Sequence, residues 1–237
     1  MLLLFDIDGT ILQGAAAAHA SALRAALHEV YGVGDGTGLA ESVPKVQAAG
    51  RTDMEIAREI VLAWGSSAEV FEAGSERLKQ ICVRAYESLD LKHLRSCLVP
   101  GMEELLADLA AREDVRLALL TGNLEPIARA KLAGAGVGHH FPSGQGAFGS
   151  DSERRADLPA VARARAGIDG QPYPRQRTVI IGDTPRDIAC ARADGVRCLA
   201  VTSGPYDASQ LGDADAIAHS TAQLRELLEQ ELSRVHA

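Results

Sequence analysis

The sequence predicts a parallel α/β sheet interrupted near its start by a long helical insertion. Three observations carry this. Apolar runs at Leu2–Phe5, Val115–Leu120, Thr178–Ile181 and Val196–Val201, with a weaker one at Asp215–Ala218, are short enough for buried strands. Helix-like stretches separate them, the alternation that builds a parallel sheet. About a hundred residues lie between the first run and the second, far more than the ~10–12 that one crossover needs.

The elements follow in order. Leu2–Phe5 is the first strand. The long gap reads as helices over about Ala15–Tyr31, Asp53–Ala63 and Ala68–Asp90, with Gly32–Gly38 as a Gly-rich break. Val99-Pro100-Gly101 marks re-entry into the sheet. Residues 14–93 are therefore read as a helical subdomain, and residues 1–13 and 94–237 as the α/β core. Helices are predicted at Met102–Ala111, Leu124–Ala135, Leu158–Ala166, Pro185–Ala193 and Thr221–Leu232. Pro185 near a helix start and Gly195 just past its end follow the usual asymmetry of helix termini. Ala15–Ala18 is the one low-complexity tract, and no internal repeat is present.

The 237 residues are 46% hydrophobic and 24% charged, ordinary globular composition. Aromatics are only 4%, so the core is aliphatic. The net charge of −8 argues against nucleic-acid or anionic-membrane partners, which need a basic surface. It does not exclude a small anionic ligand, because a metal ion or a helix N-terminus supplies local positive charge. No run approaches the ~18 apolar residues of a membrane span. Met1–Phe5 lacks a basic leader and meets Asp6 and Asp8 at once, so no signal peptide is expected. Cys82, Cys97, Cys190 and Cys198 contain no Cys-x-x-Cys spacing, which points to free thiols in a cytoplasmic protein rather than a zinc site. The sequence leaves homo-oligomerisation open.

Three of the predicted strands end in polar clusters: Asp6-Ile7-Asp8-Gly9-Thr10, Thr121-Gly122-Asn123, and Gly182-Asp183-Thr184-Pro185-Arg186-Asp187. Ligands bind at the carboxyl ends of strands in such sheets, so the three clusters are expected to meet at one site. With these motifs in this order, the sequence resembles the haloacid dehalogenase-like hydrolases from Asp6 to about Val201. In detail it is similar to the phosphoglycolate-phosphatase-like branch. The resemblance implies a Rossmann-like sheet core with an inserted all-helical cap. It also implies a small-molecule phosphate ester as substrate.

The residue chemistry agrees independently. Asp6, Asp8 and Asp183 crowd three carboxylates into one crevice, where they repel unless a cation or a proton is present. Hard oxygen ligands favour Mg²⁺. By the resemblance, Asp6 attacks phosphorus and forms an aspartyl-phosphate, a form of covalent catalysis. Asp8 protonates the leaving oxygen, then activates water, and its main-chain carbonyl binds the metal. Neighbouring carboxylates are expected to raise the Asp8 pKa, which suits an acid. Asp183 is the remaining carboxylate on Mg²⁺, and Asp187 a direct or supporting ligand. Gly9, Thr10, Gly122 and Asn123 are expected around the phosphoryl group, with the Thr121 hydroxyl and nearby N–H groups on its oxygens. Taken singly, Asp183, Asp187, Thr121 and Asn123 also read as helix caps or surface residues. Asp6 and Asp8 are harder to explain that way, because they share one strand face at i, i+2.

One departure stands out. The family has a basic residue, usually Lys before Pro, in a loop ahead of the last motif, whereas Gly146–Pro159 contains no Lys. Arg155 sits at the expected place. Lys131 lies on the helix after Thr121, about 10 Å along it at ~1.5 Å per residue, and reaches back only near full extension. Both are carried as the replacement. In the insertion, Arg51 of Gly50-Arg51-Thr52-Asp53 is a candidate for a carboxylate or second anionic group on the substrate. His19 and His28 read as surface or cap-core residues, and His139-His140 as a loop pair.

The leading expectation is a Mg²⁺-dependent phosphatase. Dehalogenase and phosphonatase chemistries in the family lack the second Asp, here Asp8. A phosphomutase keeps both and is the enzymatic alternative. A phospho-accepting signalling or binding module is the other, although receiver domains are smaller and lack a helical insertion.

Overall fold

A computed structural model of the chain describes residues 1–34 and 43–236. Among these, six parallel strands form one sheet: β1 (Leu2–Phe5), β2 (Arg116–Thr121), β3 (Ala147–Phe148), β4 (Thr178–Gly182), β5 (Arg197–Val201) and β6 (Ala216–Ala218), in the order β3-β2-β1-β4-β5-β6. The helices are α1 (Ala16–Tyr31), α2 (Asp53–Ala63), α3 (Ala68–Glu87), α4 (Met102–Ala110), α5 (Glu125–Ala135), α6 (Leu158–Ala166), α7 (Pro185–Asp194) and α8 (Thr221–His236).

β1 is continuous Leu and Phe because both sheet faces are covered. Leu3 and Phe5 pack with residues of α4, α5 and α8 on one face. Leu2 and Leu4 pack with residues of α6 and α7 on the other. Strand order reverses beside β1, between β2 and β4. A crevice therefore opens at the carboxyl ends of these central strands.

The predicted strands and helices are present with ends shifted by a few residues, except that the third helix stops at Glu87 and is followed by a 3₁₀ turn at Lys92–Cys97. β3 has no counterpart in the sequence reading: two residues between Gly146 and Gly149 carry no periodicity. Of the Gly32–Gly38 break, residues 35–38 lie outside the described residues. Gly32 itself ends α1 in the left-handed conformation, at φ 66°.

The helices between β1 and β2 have a core of their own. Leu23, Leu27, Ile60, Val61, Phe71 and Leu78 pack together, joined by Leu124 and Ile127 at the start of α5. The chain leaves and re-enters the sheet region at one point. Leu12 pairs antiparallel with Leu98, and the Gln13 N–H donates to Cys97 O at 2.7 Å.

α7, which follows β4, is anchored by a buried ion pair to α6. Arg163 donates to both Asp194 oxygens, Nε to Oδ2 at 2.6 Å and Nη2 to Oδ1 at 2.8 Å, and to Tyr173 O at 2.8 Å. Removing one partner of a buried pair strands the other charge and costs about 3–5 kcal/mol. At ~2–4 °C per kcal/mol for a chain of this size, Arg163→Met is expected to lower the thermal midpoint by roughly 6–20 °C. Differential scanning calorimetry reads it, and a shift under about 2 °C would show that Arg175, 3.3 Å from Asp194 Oδ1, holds the carboxylate alone.

Candidate active site

Asp6 follows β1 directly, and its N–H donates to Ile181 O at 2.9 Å, so β4 fixes its backbone. The chain then turns at Gly9, where φ is +88°, a conformation that glycine adopts without steric cost. The Gly9 N–H donates to Leu12 O at 2.7 Å. A Cβ at Gly9 would lie 2.1 Å from Asp183 Oδ2, and one at Gly204 1.8 Å from the same atom. Two bare backbone segments thus cradle the Asp183 carboxylate. Thr10 is fully buried and donates from its hydroxyl to Asp183 Oδ1 at 3.1 Å. It supports Asp183 from beneath and does not line the cavity, which corrects its expected place beside the substrate.

At the end of β2 the polar side chains engage one another. Asn123 donates from Nδ2 to Thr121 Oγ1 at 2.8 Å and to Asp8 Oδ2 at 3.0 Å. Neither residue caps α5. Its first N–H groups, at Leu124 and Glu125, go instead to Asp53 Oδ2 at 2.8 Å and Ser150 Oγ at 3.0 Å. Gly122 and Asn123 line the cavity with Asp6, Asp8, Gly9 and Thr121.

Asp187 closes a capping box at the start of α7. The Thr184 N–H and hydroxyl donate to its Oδ2 at 3.0 and 2.8 Å. Its Oδ1 accepts from Arg155 Nη2. With both oxygens engaged, Asp187 is placed to hold Arg155.

Both basic candidates arrive, on different carboxylates. Arg155, in a 3₁₀ turn ahead of α6, puts Nη2 3.0 Å from Asp6 Oδ2. Lys131 is fully buried and donates to Asp8 Oδ2 and to Asn123 Oδ1, each at 2.6 Å. Its Nζ also lies 3.2 Å from His19 Nδ1.

This division sets the electrostatics. Burial pushes the Asp6 carboxyl up, Arg155 opposes it, and the Asp187 charge adds to the rise, leaving the net shift upward. Asp183 is likewise raised by burial, then by Asp6 and Asp187. On Asp8 burial also acts upward, but 28% of its side chain is exposed to the cavity. Lys131, then His19, outweigh it and hold Asp8 below the ordinary carboxylate range. The expected upward shift of Asp8 is thus corrected: the charged group that acts on it most strongly is the Lys131 ammonium, not a neighbouring carboxylate.

Ligand atoms of Asp6, Asp183 and Asp187 lie within 4.8 Å of one another. The Asp8 carboxylate, turned to Lys131, is outside this group. Asp183 Oδ2 is buried without a hydrogen-bond partner. An orphaned carboxylate oxygen in a cradle too tight for a Cβ, beside a second carboxylate, fits a small hard cation.

The insertion reaches the site through the turn before α2. Thr52 caps that helix, accepting from the Glu55 N–H at 3.1 Å. The Asp53 N–H donates to Gly122 O at 2.8 Å, and a Cβ at Gly122 would lie 2.0 Å from Arg51 O. Asp53 Oδ2 lies 3.0 Å from His19 Nε2. His19 is therefore a buried link between Lys131 and Asp53, not a surface residue. His28 is exposed, and the rings of His139 and His140 lie tilted against each other, with centroids 3.9 Å apart at an interplanar angle of 43°. Arg51 lines the cavity, but its guanidinium is bound to Glu55, Nε to Oε1 at 2.8 Å, and to Glu59. The role expected for it, receiving a substrate carboxylate, is opposed by these two internal carboxylates.

Ser203 and Gly204 also belong to the site. The Ser203 hydroxyl donates to Gly9 O at 2.7 Å. Thr202-Ser203-Gly204 follows an apolar strand as the other motifs do, and that pattern was the available signal.

Known proteins agree with this geometry. The profile of the haloacid dehalogenase-like hydrolases matches residues 3–192. Among sequence relatives, the tyrosine-protein kinase PtkA of Mycobacterium tuberculosis is 31% identical over 203 residues, 86% of this chain and 62% of that protein. A phosphoglycolate phosphatase of Rhodospirillum rubrum is 33% identical over 119 residues, 50% of this chain and 47% of that protein. The chain thus spans about half to three-fifths of these relatives' length. A β-phosphoglucomutase structure from Clostridium difficile superposes with a TM-score of 0.67 at 19% identity, covering 100% of this chain and 99% of that one. With its three strand-end motifs gathered at one crevice and the profile spanning most of its length, the chain belongs to the haloacid dehalogenase-like hydrolase family.

Proposed function

We propose that the protein is a cytoplasmic, Mg²⁺-dependent phosphatase that hydrolyses a small phosphate monoester through an aspartyl-phosphate, with residues 14–93 as a cap over the site. The observation that carries this is the separate treatment of the first two aspartates. Asp6 faces Arg155 and the acidic cluster, whereas Asp8 faces Lys131 and Asn123. One carboxylate is set for attack and the other for proton transfer, the division of labour that two adjacent carboxyl groups need. Relatives named phosphatases support the same class.

Asp6 attacks phosphorus, while Arg155 orients its carboxylate and adds positive charge. Asp8 first takes up the proton that the monoanionic form of the phosphate ester carries, passes it to the leaving oxygen, and as the carboxylate so formed takes one from the attacking water. Lys131 and Asn123 fix Asp8 Oδ2 throughout, and the Asp8 anion favoured at rest is the form the hydrolytic half uses. Gly9, Gly122 and Asn123 line the space for the phosphoryl group. Asp6, Asp183 and the main-chain carbonyl of Asp8 are the residues to hold Mg²⁺. When bound, the ion supplies positive charge that screens the nucleophile from the phosphoryl oxygens. The insertion is proposed as the cap because it enters and leaves at one point, at Leu12 and Leu98, and rests on Gly122. Phosphoglycolate as substrate draws support from the relatives' names, and the pairing of Arg51 with Glu55 and Glu59 weighs against it.

Release of inorganic phosphate from a panel of metabolite phosphates, with Mg²⁺ and with EDTA, tests the class. Asp6→Asn is expected to remove turnover and leave the fold intact. Asp8→Asn is expected to accumulate phosphoenzyme, seen by intact-protein mass spectrometry as one added phosphoryl group. Turnover by Asp6→Asn above a trace contradicts the nucleophile assignment.

Lys131→Met is expected to lower kcat by about 100-fold, the lower end of what positioned acid–base groups contribute. Its pH–rate profile should shift on the acid limb, because Asp8 loses the ammonium that keeps it ionised. An unchanged acid limb would limit Lys131 to packing.

Metal binding has a readout apart from activity. Asp6 and Asp183 are raised in the folded chain, so the metal-free fold holds more protons than the unfolded chain above about pH 4. Its stability therefore falls as pH rises through that region. Mg²⁺ should raise the thermal midpoint, and more at pH 8 than at pH 6, where protons compete for the same oxygens. Asp183→Asn should abolish the Mg²⁺ effect; a persistent effect would put the ion elsewhere.

A further inference from the structure

The cavity lined by Asp6, Asp8 and Asp183 extends past these aspartates as a chamber reaching α1 and α2, and measures about 770 Å³ in all. That is toward the upper end of the ~300–1,000 Å³ range of small-molecule sites. Beyond the phosphoryl machinery its walls are largely apolar. Ala16, Ala20 and Leu23 stand at i, i+4 and i+7 on α1, which puts them on one face. Ile56 and Ile60 stand at i and i+4 on α2, and Val46 closes the side between them.

Two alanines of α1 shape this space. Ala16 and Ala20 are exposed into the chamber at the end nearer Asp8 and Gly9, where larger side chains would fill the space. Bulk appears further along, at Leu23 and Ile60, which are 6% and 5% exposed. Arg51, whose backbone oxygen packs against Gly122, is bound through its guanidinium by Glu55 and Glu59. Arg24 and Lys45 also line the chamber, and a cation near an aromatic face is favourable. A two-carbon acid would leave most of this wall wet, whereas a ring would dry it.

We propose that the leaving group this site prefers is a compact arylalkyl alcohol rather than a small hydroxy acid, a substrate class that rests on the phosphatase reading above. The chamber takes the ring, and Ala16 and Ala20 give it clearance beside the phosphoryl group.

The test compares ethyl phosphate, 2-phenylethyl phosphate and phosphoglycolate on the full chain with Mg²⁺. The two alcohols have similar leaving-group chemistry, so their difference reports the apolar body alone. kcat/KM for 2-phenylethyl phosphate is expected to exceed that for ethyl phosphate by about 30-fold, the size expected when a phenyl ring leaves water, chiefly through KM. It is also expected to exceed that for phosphoglycolate. Ala20→Phe, which fills the chamber from an exposed position, should reduce the phenylethyl-to-ethyl ratio to below about 3. A thermal unfolding curve matching the parent checks that this variant is folded, and the ratio in the unaltered protein stands without it. Phosphoglycolate or ethyl phosphate turned over as well as 2-phenylethyl phosphate, with dependence on Asp6, overturns the chamber assignment and leaves the phosphatase standing. No Asp6-dependent release from any of the three or from the wider panel overturns the phosphatase, and the chamber assignment with it.

Discussion

Burying carboxylates next to one another is the constraint around which this molecule is arranged. Asp6, Asp183 and Asp187 are each almost inaccessible, at 4%, 1% and 0% exposure. Charges so placed cost more than a surface pair returns unless cations and hydrogen bonds accompany them. Arg155 answers for two of the three, touching Asp6 and Asp187 at once. Asp187 in turn caps α7, and Arg163 anchors the far end of that helix through Asp194. Thr10 donates to one Asp183 oxygen, and the other is left without a partner between two glycines. Among these three carboxylates the incomplete compensation falls at Asp183 Oδ2, where a cation would complete it.

The same constraint explains why two basic residues enter. A single cation between Asp6 and Asp8 would drive both the same way. Arg155 stays charged in any setting and spans two carboxylates with its planar fork. Lys131 offers three donors and uses them on Asp8, Asn123 and His19. That last contact links the Asp8 side of the crevice to the helices between β1 and β2, since His19 belongs to α1 and its other nitrogen lies 3.0 Å from Asp53 Oδ2 at the start of α2. Asp53 also accepts the first free N–H of α5, the helix bearing Lys131. Movement of α1 or α2 relative to the sheet is therefore felt at Lys131 through two independent contacts.

The central strands were legible because each is a continuous apolar run ending in a polar motif, and burial on both faces dictates both features. That helices fill the long stretch between β1 and β2 was legible from spacing alone. β3 was not, because two residues held by partner hydrogen bonds leave no local pattern. At the site, Asp6, Asp8 and Asp183 could be read from their positions at strand ends. The partner of each could not. Whether Lys131 or Arg155 approaches the first motif depends on how α5 and the turn before α6 pack, and the contacts span 123 residues for Lys131–Asp8. Arg51 is paired with carboxylates of α2 for a more local reason. Glu55 and Glu59 sit one and two helical turns further along, and the i, i+4 spacing of Arg51 and Glu55 was visible in the sequence.

His19 marks where local reading and tertiary structure diverge most. In sequence it follows an alanine tract and resembles any helix residue. In the fold it is 7% exposed, packs edge-on against Tyr86 with ring centroids 5.7 Å apart, and stands between an ammonium and a carboxylate. Both of these neighbours are themselves buried. The alanines around it then acquire their meaning as well. They leave α1 close enough for His19 to reach Lys131 while keeping the adjoining chamber open. One short, featureless stretch of sequence thus carries a structural link on one face and empty space on the next.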